Sequence, residues 1–353
     1  MKKKTAWLLG TGIVAGLAVI GTMTINLVDT FFVAHAAGTL TSTAANFNFG
    51  GSSSSASDTS TSGSTSSSGS TSTSTTSTSA GGTSSSSTSS NGVTSYGTTS
   101  VTYTTGSYTV LSGKSVTYYL VEAKLADTGH IRRNIWTENG SYGTNITATM
   151  STQVSSVNNS GYTILAAING DSCYWGSGTD GYVIANGITY SSNKRTYNTL
   201  ADFAIYADST AGTFTESSTA IGTVTSTRGG CWQNWGFGPA LVENGVVTVT
   251  SSSAIGGAKS TGSNPRTAIG YAGTNHYFFL TTDIYGSSRS TKGCEFSLID
   301  LGNFLLAKGC TYAYNLDGGG SASMYVASEG SGLVNDNTYS YERDLSDIIY
   351  VCA

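Results

Sequence analysis

A seven-residue segment of this 353-residue sequence combines a carboxylate, three consecutive glycines and a hydroxyl. Asp317 is followed by Gly318, Gly319 and Gly320, and Ser321 closes the segment. Glycines after an apolar strand adopt backbone torsions that other residues avoid, and they let a ligand approach the main chain closely. Successive backbone N–H groups in such a loop form a concavity that binds anions, and the Ser321 hydroxyl adds a donor. The segment therefore predicts an anion-binding loop beside a carboxylate.

A cation is predicted to lie near a second carboxylate at one end of a hairpin. Thr267–Ala272 and Tyr277–Thr282 both have the residue pattern of a strand. A four-residue loop between them pairs the last residue of the first strand with the first residue of the second. Counted outward, that register places Arg266 opposite Asp283, and a slip of one residue would change the pairing. Arg266 offers a bidentate contact to phosphate.

Three aspartates follow the ends of three predicted strands. Asp171, Asp283 and Asp317 each come one to three residues after an apolar segment. A helix between the second and third of these strands favours a parallel crossover, which puts Asp283 and Asp317 at the same edge of the sheet. Ligands of open α/β sheets bind beyond the carboxyl ends of strands. We therefore expect the three carboxylates to converge.

The elements that position these residues are mainly strands. Asn-Gly pairs at 186–187 and 244–245 predict two-residue hairpin turns, because Asn-Gly accepts the positive φ of a type I′ turn. Helices are predicted over 145–157 and 295–307, the second with Leu298, Leu301 and Leu305 on one face. The pattern predicts an α+β domain, strand-dominated, with a mixed sheet and a few helices.

The composition excludes several classes of function. Charged residues make up 10% of the chain and the net charge is −4, which argues against nucleic acid as a partner because binding to it needs a basic surface. With 3 His and no Cys-x-x-Cys motif, a zinc site is not expected. No calcium-binding loop accompanies the aspartates, so we expect no cofactor, and a divalent cation at the aspartates lacks support from the sequence.

The N-terminus predicts export. Lys2, Lys3 and Lys4 precede an apolar stretch over residues 6–25, which sends the following chain outward. Two interpretations stay open: a signal peptide cleaved after Ala36, or an uncleaved anchor long enough to span a membrane. Either one makes the protein extracellular, secreted or anchored at the cell surface, with membrane contact through this segment only.

Composition divides the chain into three segments. Residues 1–36 form the export segment, and residues 37–106 are predicted to be a spacer because Ser, Thr and Gly bury too little apolar surface to offset their ordering entropy. The alternative for the spacer is a stalk that carries O-linked sugars. Residues 107–353 are predicted to form one globular domain.

Five cysteines all lie in that domain, and an exported protein permits disulfides. The odd number leaves at least one thiol unpaired. Cys294 and Cys310 flank the second predicted helix and lie too far apart to join.

Five motifs of the domain form a recognisable set: Ile168-Asn-Gly-Asp171, Phe237-Gly-Pro-Ala-Leu-Val-Glu-Asn-Gly245, Pro265-Arg-Thr-Ala-Ile-Gly270, Asn315-Leu-Asp-Gly-Gly-Gly-Ser321 and Glu342-Arg343. On these motifs the chain is identified as a member of the phosphodiester glycosidase family. The resemblance spans essentially all of residues 107–353, in the family's order, and its most specific mark is the glycine segment. One departure concerns phosphate binding, since family members commonly carry Asp-Gly-Arg at the position of Asp283 and this chain has Ile-Tyr after it, with Arg289 as the alternative cation.

The resemblance implies hydrolysis of a sugar-1-phosphodiester bond, with a carbohydrate phosphate of the N-acetylglucosamine-1-phosphate type as substrate. Such a reaction passes through an oxocarbenium-like transition state and usually needs an acid and a second carboxylate. We assign Asp317 and Asp171 to this pair, with Asp283 in reserve, and which one is the acid stays open. The expected contacts to phosphate and sugar come from Arg266, Arg343, Asn169, Asn315, Gly318, Gly319, Gly320 and Ser321.

Two other functions fit the same sequence. One is a non-catalytic, glycan-binding adhesin presented on a Ser/Thr stalk, and the other is a factor in exopolysaccharide maturation. The aspartates discriminate the adhesin from an enzyme, because a binding protein needs no ionisable pair beside the glycine segment.

Overall fold

The computed structural model describes residues 88–96, 98–143, 145–171, 181–195, 200–250, 254–255, 258–259, 264–283, 296–330, 332–335 and 342–353. The predicted export segment and most of the spacer lie outside these residues, as does Arg289. Within them, no helix has the length and apolar character needed to cross a membrane.

The strand-dominated α+β prediction is confirmed. Three α-helices accompany the strands in the described part of the chain: α1 (Met150–Asn159), α2 (Ile221–Ser226) and α3 (Leu298–Ala307). The strands are β1 (Thr88–Tyr96), β2 (Thr99–Thr109), β3 (Ser115–Lys124), β4 (Ile131–Ile135), β5 (Ile164–Asn169), β6 (Tyr182–Ala185), β7 (Ile188–Ser192), β8 (Asp202–Tyr206), β9 (Ala211–Phe214), β10 (Cys231–Trp235), β11 (Ala240–Glu243), β12 (Val246–Val247), β13 (Ala254–Ile255), β14 (Ala258–Lys259), β15 (Thr267–Gly273), β16 (His276–Thr282), β17 (Tyr312–Asn315), β18 (Met324–Val326) and β19 (Asp347–Cys352).

Two sheets enclose the main core. The larger sheet has the order β1-β2-β3-β16-β15-β17-β11-β12, and a four-stranded sheet has the order β18-β5-β19-β4. Apolar side chains from both sheets, such as Ile168 and Ile349 from one and Phe279 and Tyr314 from the other, form a single buried cluster. The remaining described strands form smaller sheets, β10-β8-β9, β6-β7 and β13-β14.

The local predictions from turns and helix faces are confirmed. Asn186 and Gly187 have φ values of 52° and 77°, Asn244 and Gly245 have 51° and 78°, and each pair joins two antiparallel strands. The α3 residues Leu298, Leu301 and Leu305 are fully buried against the larger sheet.

Both predicted helices begin later than expected, for reasons visible at their caps. At the start of α3 the Ser297 side chain accepts from the Asp300 backbone N–H, and the Asp300 side chain accepts from the Ser297 backbone N–H. Helix α1 begins after Thr149 instead of at Asn145, because Asn145 has φ +66° and so cannot lie in a helix.

The folded domain begins earlier than residue 107. Strand β2 covers residues 99–109 in the larger sheet, and its Val101 and Tyr103 are buried in the main core. The spacer composition hides this strand, because threonine is common both in flexible segments and in strands.

The predicted register of the β15–β16 hairpin is wrong by one residue. Tyr271 pairs with Tyr277 and Gly273 with His276, so a bulge and a two-residue turn replace the expected four-residue loop. Arg266 therefore lies opposite Thr282 and not opposite Asp283. The Arg266 N–H donates to the Thr282 hydroxyl, and the Thr282 N–H donates to the Arg266 carbonyl. A one-residue shift moves a side chain to the other face of a sheet.

Three described thiols are buried and unpaired: those of Cys231, Cys310 and Cys352. The odd number of cysteines had required at least one unpaired thiol. Cys173 and Cys294 lie outside the described residues. Burial raises the pKa of the Cys352 thiol to about 11, as expected for an inert, structural cysteine.

Candidate functional site

Asp171 and Asp317 follow strands of different sheets, and the backbone of Asp317 is bonded to the two residues that precede Asp171. The Asp317 N–H donates to the Gly170 carbonyl at 3.2 Å. The Asn169 side chain donates from Nδ2 to the Asp317 carbonyl at 2.7 Å. The convergence of these two strand ends, predicted from the sequence, is therefore present.

Asn169 ties the two sheets together at this point. Its Oδ1 accepts from the Thr267 hydroxyl at 2.7 Å and from the Ser323 N–H at 3.1 Å, and the side chain is completely buried. Three internal hydrogen bonds occupy the amide that we expected to contact sugar. The contacts of Asn169 are those of a residue that positions Asp317.

The glycine loop, residues 317–321, depends on glycine for two different reasons. A Cβ on Gly318 would lie 2.6 Å from the Pro265 carbonyl oxygen, so a side chain does not fit there. Gly319 has φ +62°, and its N–H donates to the same oxygen at 2.9 Å. A 3₁₀ turn over Gly319–Ser321 follows, and the Gly318 N–H donates to Asp317 Oδ1 at 2.8 Å.

The backbone of Arg266 and the side chain of Arg343 border this loop. The Cα of Arg266 would lie 3.8 Å from a Cβ on Gly318, and the Arg266 Nε donates to the Phe296 carbonyl at 3.3 Å. Arg343 Nη1 donates to the Ser321 hydroxyl at 3.3 Å. The preceding residue, Glu342, accepts from the backbone N–H of Ser151 at 3.1 Å in the first turn of α1.

Asp283 and Asn315 lie around the same sheet edge with other partners. Strand β15 separates the strand before Asp283 from the strand before Asp317, and the two outer strands run in the same direction. The Tyr119 hydroxyl donates to Asp283 Oδ2. Asn315 donates from Nδ2 to the Gly238 carbonyl at 2.7 Å, while its buried Oδ1 meets no hydrogen-bond partner among the described residues.

Sequence reasoning missed three residues that hold Asp171. Arg133 bonds Asp171 Oδ2 from Nη2 at 3.1 Å and Asp347 Oδ2 from Nε at 2.7 Å. The Gly236 N–H donates to both Asp171 carboxylate oxygens, at 3.3 and 3.2 Å. Asp347 Oδ1 accepts from the Asp171 N–H at 2.8 Å. These donors fix the orientation of Asp171 and complement a negative charge on it.

Burial raises the pKa of the Asp347 carboxyl, and nearby Arg133 opposes the rise. A signal for Arg133 exists in the sequence, since it alternates with Ile131 and Ile135 in a strand whose same-facing side chains are buried. An arginine on a buried strand face needs an acidic partner. Nothing in the sequence indicates that the partners would be Asp347 and Asp171.

A second ion-pair group, also missed, lies beside the first. Arg195 Nη2 bonds Asp202 Oδ1 at 2.5 Å and Glu216 Oε1 at 3.0 Å. Burial raises the pKa of Asp202 well above its ordinary value, and although Arg195 opposes this, Glu216 and Asp171 add to it. Arg195 does not cancel the rise, because its one guanidinium is shared between two carboxyls. Asn234 links the groups: its Nδ2 donates to Asp202 Oδ2 at 2.8 Å, and its carbonyl accepts from Arg133.

Tryptophan rings can stack on sugars, and three tryptophans of the domain are candidates for such a contact. Trp232 and Trp235 are buried aromatics, whereas Trp175 lies outside the described residues. Among the residues that the structure describes, no three His, Cys, Asp or Glu side chains gather in a way that would hold a metal ion.

The fold and the site together define a strand-rich domain in which two aspartates, one held by a buried arginine, lie beside a glycine loop. The model of the phosphodiester glycosidase family matches residues 162–352, and the chain belongs to that family. No curated protein sequence matches the chain.

One solved structure shares the fold, and a second is reported with it for comparison. The catalytic domain of zebrafish N-acetylglucosamine-1-phosphodiester alpha-N-acetylglucosaminidase, auto-inhibited by its pro-peptide, is similar with a TM-score of 0.56 and 16% identity, over 75% of this chain and 87% of that one. A hypothetical protein from Synechocystis is similar with a TM-score of 0.43 and 12% identity, over 72% of this chain and 62% of that one.

Proposed function

We propose that this protein is an extracellular hydrolase that cleaves a sugar-1-phosphodiester bond, acting on glycans of the N-acetylglucosamine-1-phosphate type. One observation carries the proposal: Asp171 and Asp317 emerge together from two sheets, next to a loop of glycines bordered by Arg266 and Arg343. Family membership supports the reaction class, and the name of the similar zebrafish enzyme supplies the sugar.

The surroundings of the two carboxylates suit different roles. Asp171 accepts hydrogen bonds from Arg133 and the Gly236 N–H, which favours a carboxylate acting as base or nucleophile at the anomeric carbon. Asp317 lies at the start of the glycine loop, where it is positioned to assist the departing phosphate. Phosphate is a good leaving group, so Arg266 and Arg343 are proposed to take over much of the acid's work. The N–H groups of Gly318 and Gly319 are already bonded to Asp317 and Pro265 and do not serve the phosphate in this proposal.

Arg343 and Ser321 complete the phosphate end in this proposal. The Arg343–Ser321 bond at 3.3 Å holds a guanidinium against the loop, where it adds positive charge for a phosphodiester. Asp283 remains in reserve, Asn315 is proposed to contact the sugar, and no cofactor enters the reaction. The export segment delivers the domain outside the cell.

The test is sugar release by the full chain from N-acetylglucosamine-1-phosphodiesters, compared with Asp171→Asn and Asp317→Asn. Each variant should lose at least about 100-fold in rate, the usual range for a general acid or base. Asp208→Asn is the matched control, because Asp208 is exposed and away from the glycine loop in sequence.

The adhesin alternative predicts a different result. A wild-type protein that binds glycans, releases no sugar from any diester and keeps its affinity in both variants would be a binding protein. Unchanged turnover in both variants would instead show that these carboxylates are not the reacting pair.

A further inference from the structure

Two tyrosines form an aromatic pair at the surface of the described structure. Tyr190, on β7, is 40% exposed, which makes it the most exposed of the described aromatic side chains. The ring of Tyr142 lies edge-on to it with 5.7 Å between the ring centroids, and the Tyr142 hydroxyl donates to the Tyr190 carbonyl at 3.0 Å. A tyrosine ring combines an apolar face with a polar tip, and such rings are enriched where proteins bind their ligands.

Tyr190 is the extra residue of a β-bulge. Its neighbours Thr189 and Ser191 pair with consecutive residues of β6, so Tyr190 itself has no partner in the register. A bulge re-aims the side chain that it carries, and bulges are more frequent beside active sites than elsewhere. The bulge is therefore a second reason, independent of exposure, to assign a role to this ring.

The tyrosine pair lies at the same end of the four-stranded sheet as Asp171. Tyr142 packs against a buried cluster that includes Ile135, the last residue of β4. Ile135 is paired with Asp347 on β19, and Asp347 Oδ1 accepts from the Asp171 N–H. Neighbouring strands lie about 4.8 Å apart, so the two steps from Asp171 to Ile135 cover about 10 Å. The tyrosine pair lies beyond Ile135, so a sugar on it is a different unit from the one at Asp171.

The glycine loop lies on the other side of Asp171. It leads into β18, which pairs with β5 on the edge opposite to β19. The order across the sheet is therefore glycine loop, Asp171, Asp347, Ile135 and tyrosine pair. With the phosphate over the glycine loop and the anomeric carbon at Asp171, the tyrosines face the part of the glycan that extends away from the phosphate. That part is an uncharged sugar chain, which suits two uncharged aromatic rings.

We propose that Tyr142 and Tyr190 bind a second sugar unit of the substrate, so that the protein acts on an oligosaccharide 1-phosphodiester and not on a single capped sugar. The inference rests on the proposed function for the direction of the chain and adds the length of the glycan. The cleaved unit lies at Asp171. The next unit, joined to it on the side away from the phosphate, stacks on the exposed ring of Tyr190, and Tyr142 positions that ring.

The test measures how affinity changes with glycan length. N-acetylglucosamine and its linear oligomers of two, three and four units are titrated by NMR into the full chain. Wild type should bind the longer oligomers about 5- to 30-fold more tightly than the monosaccharide, the usual effect of a tyrosine that contributes strongly to binding. Tyr190→Ala should lose this gain. Its affinity for the monosaccharide should stay within about twofold, because that unit binds at a separate point of the sheet.

Two control variants separate the ring from the hydroxyl and from general packing. Tyr190→Phe keeps the ring and should bind every oligomer as wild type does. Tyr312→Ala removes a ring that also lies beside a tyrosine, Tyr271, at 6.5 Å between centroids, but at the start of β17, whose other end leads to Asp317. This variant should keep the full gain with length. Tyr190→Ala is expected to fold, because the ring it removes is exposed, and far-UV circular dichroism checks this.

Three outcomes overturn the assignment: a wild type whose affinity does not rise with oligomer length, a folded Tyr190→Ala that keeps the rise, or a loss of the rise in Tyr190→Phe or Tyr312→Ala as well. If the oligomers bind through Tyr190 and no diester is cleaved, the proposed reaction fails while the second sugar site stands. Cleavage of diesters without any dependence on Tyr190 leaves the reaction in place and refutes the second site.

Discussion

Gly318→Ala adds one methyl group to the glycine loop at a point where the structure leaves no space for it. The new carbon would lie 2.6 Å from the Pro265 carbonyl oxygen, against at least 3.4 Å for an ordinary contact. The obstructing atom belongs to the backbone and cannot rotate away. The loop must therefore move, and the bond from the Gly319 N–H to the same oxygen is lost.

The cost follows from these two effects. Overpacking a well-packed site costs about 1–3 kcal/mol, and loss of the hydrogen bond adds about 0.5–1.5 kcal/mol. We expect the free energy of unfolding to drop by about 1.5–4.5 kcal/mol. Because the Gly318 N–H also bonds Asp317 Oδ1, the carboxylate moves with the loop, and sugar release should fall even where the variant is fully folded.

Urea denaturation of the full chain measures the stability change through the midpoint at constant slope. Gly319→Ala is the first control: its methyl meets nothing within 4 Å, so only the strain of φ +62° acts, at about 1–2 kcal/mol. Gly222→Ala, in α2 and with open space, should change stability by no more than about 1 kcal/mol, in the stabilising direction. A Gly318→Ala variant as stable as Gly222→Ala would refute the close-approach argument.

Two further predictions concern buried polar groups. Since burial raises the pKa of Asp202 above its ordinary 3.8, the native state binds a proton that the unfolded chain releases. The free energy of unfolding should therefore fall as the pH rises from 3.8 towards the raised pKa of Asp202, by up to about 1.4 kcal/mol per pH unit. Asp202→Asn should flatten the fall in urea midpoints measured against pH, and equal slopes in both proteins would contradict a protonated Asp202. Asn169→Ala leaves buried partners unpaired, among them the Asp317 carbonyl, and should cost about 2–4 kcal/mol by the same denaturation. A cost below about 1 kcal/mol would mean that Asn169 does not tie the sheets together.

Much of the local structure could be predicted from the sequence. The Asn-Gly turns at 186–187 and 244–245, the buried face of α3 and the strand-rich class depend on signals within a few residues, and all are confirmed. The glycine segment and the order of the motifs also indicated the family. Such features survive in the sequence because their physical cause, a torsion or a periodicity, lies in the residues themselves.

Register and boundary depended on more than local pattern. The β15–β16 hairpin closes with a bulge and a two-residue turn, and the slip moves Arg266 from Asp283 to Thr282. The composition of strand β2 predicts a spacer, and only the packing of Val101 and Tyr103 in the main core shows that it belongs to the folded domain. In both cases the deciding interaction is packing against a distant strand.

The charge network around the site was decided by the tertiary structure alone. Arg133 and Asp347 are separated by 214 positions along the chain, and Arg195 lies beside Asp171 only because Gly236 brings them together. The sequence by itself determined which segment holds the glycines and which strands carry aspartates at their ends. It did not determine which arginine neutralises which aspartate, because a buried charge takes its partner from whatever the fold places within about 4 Å.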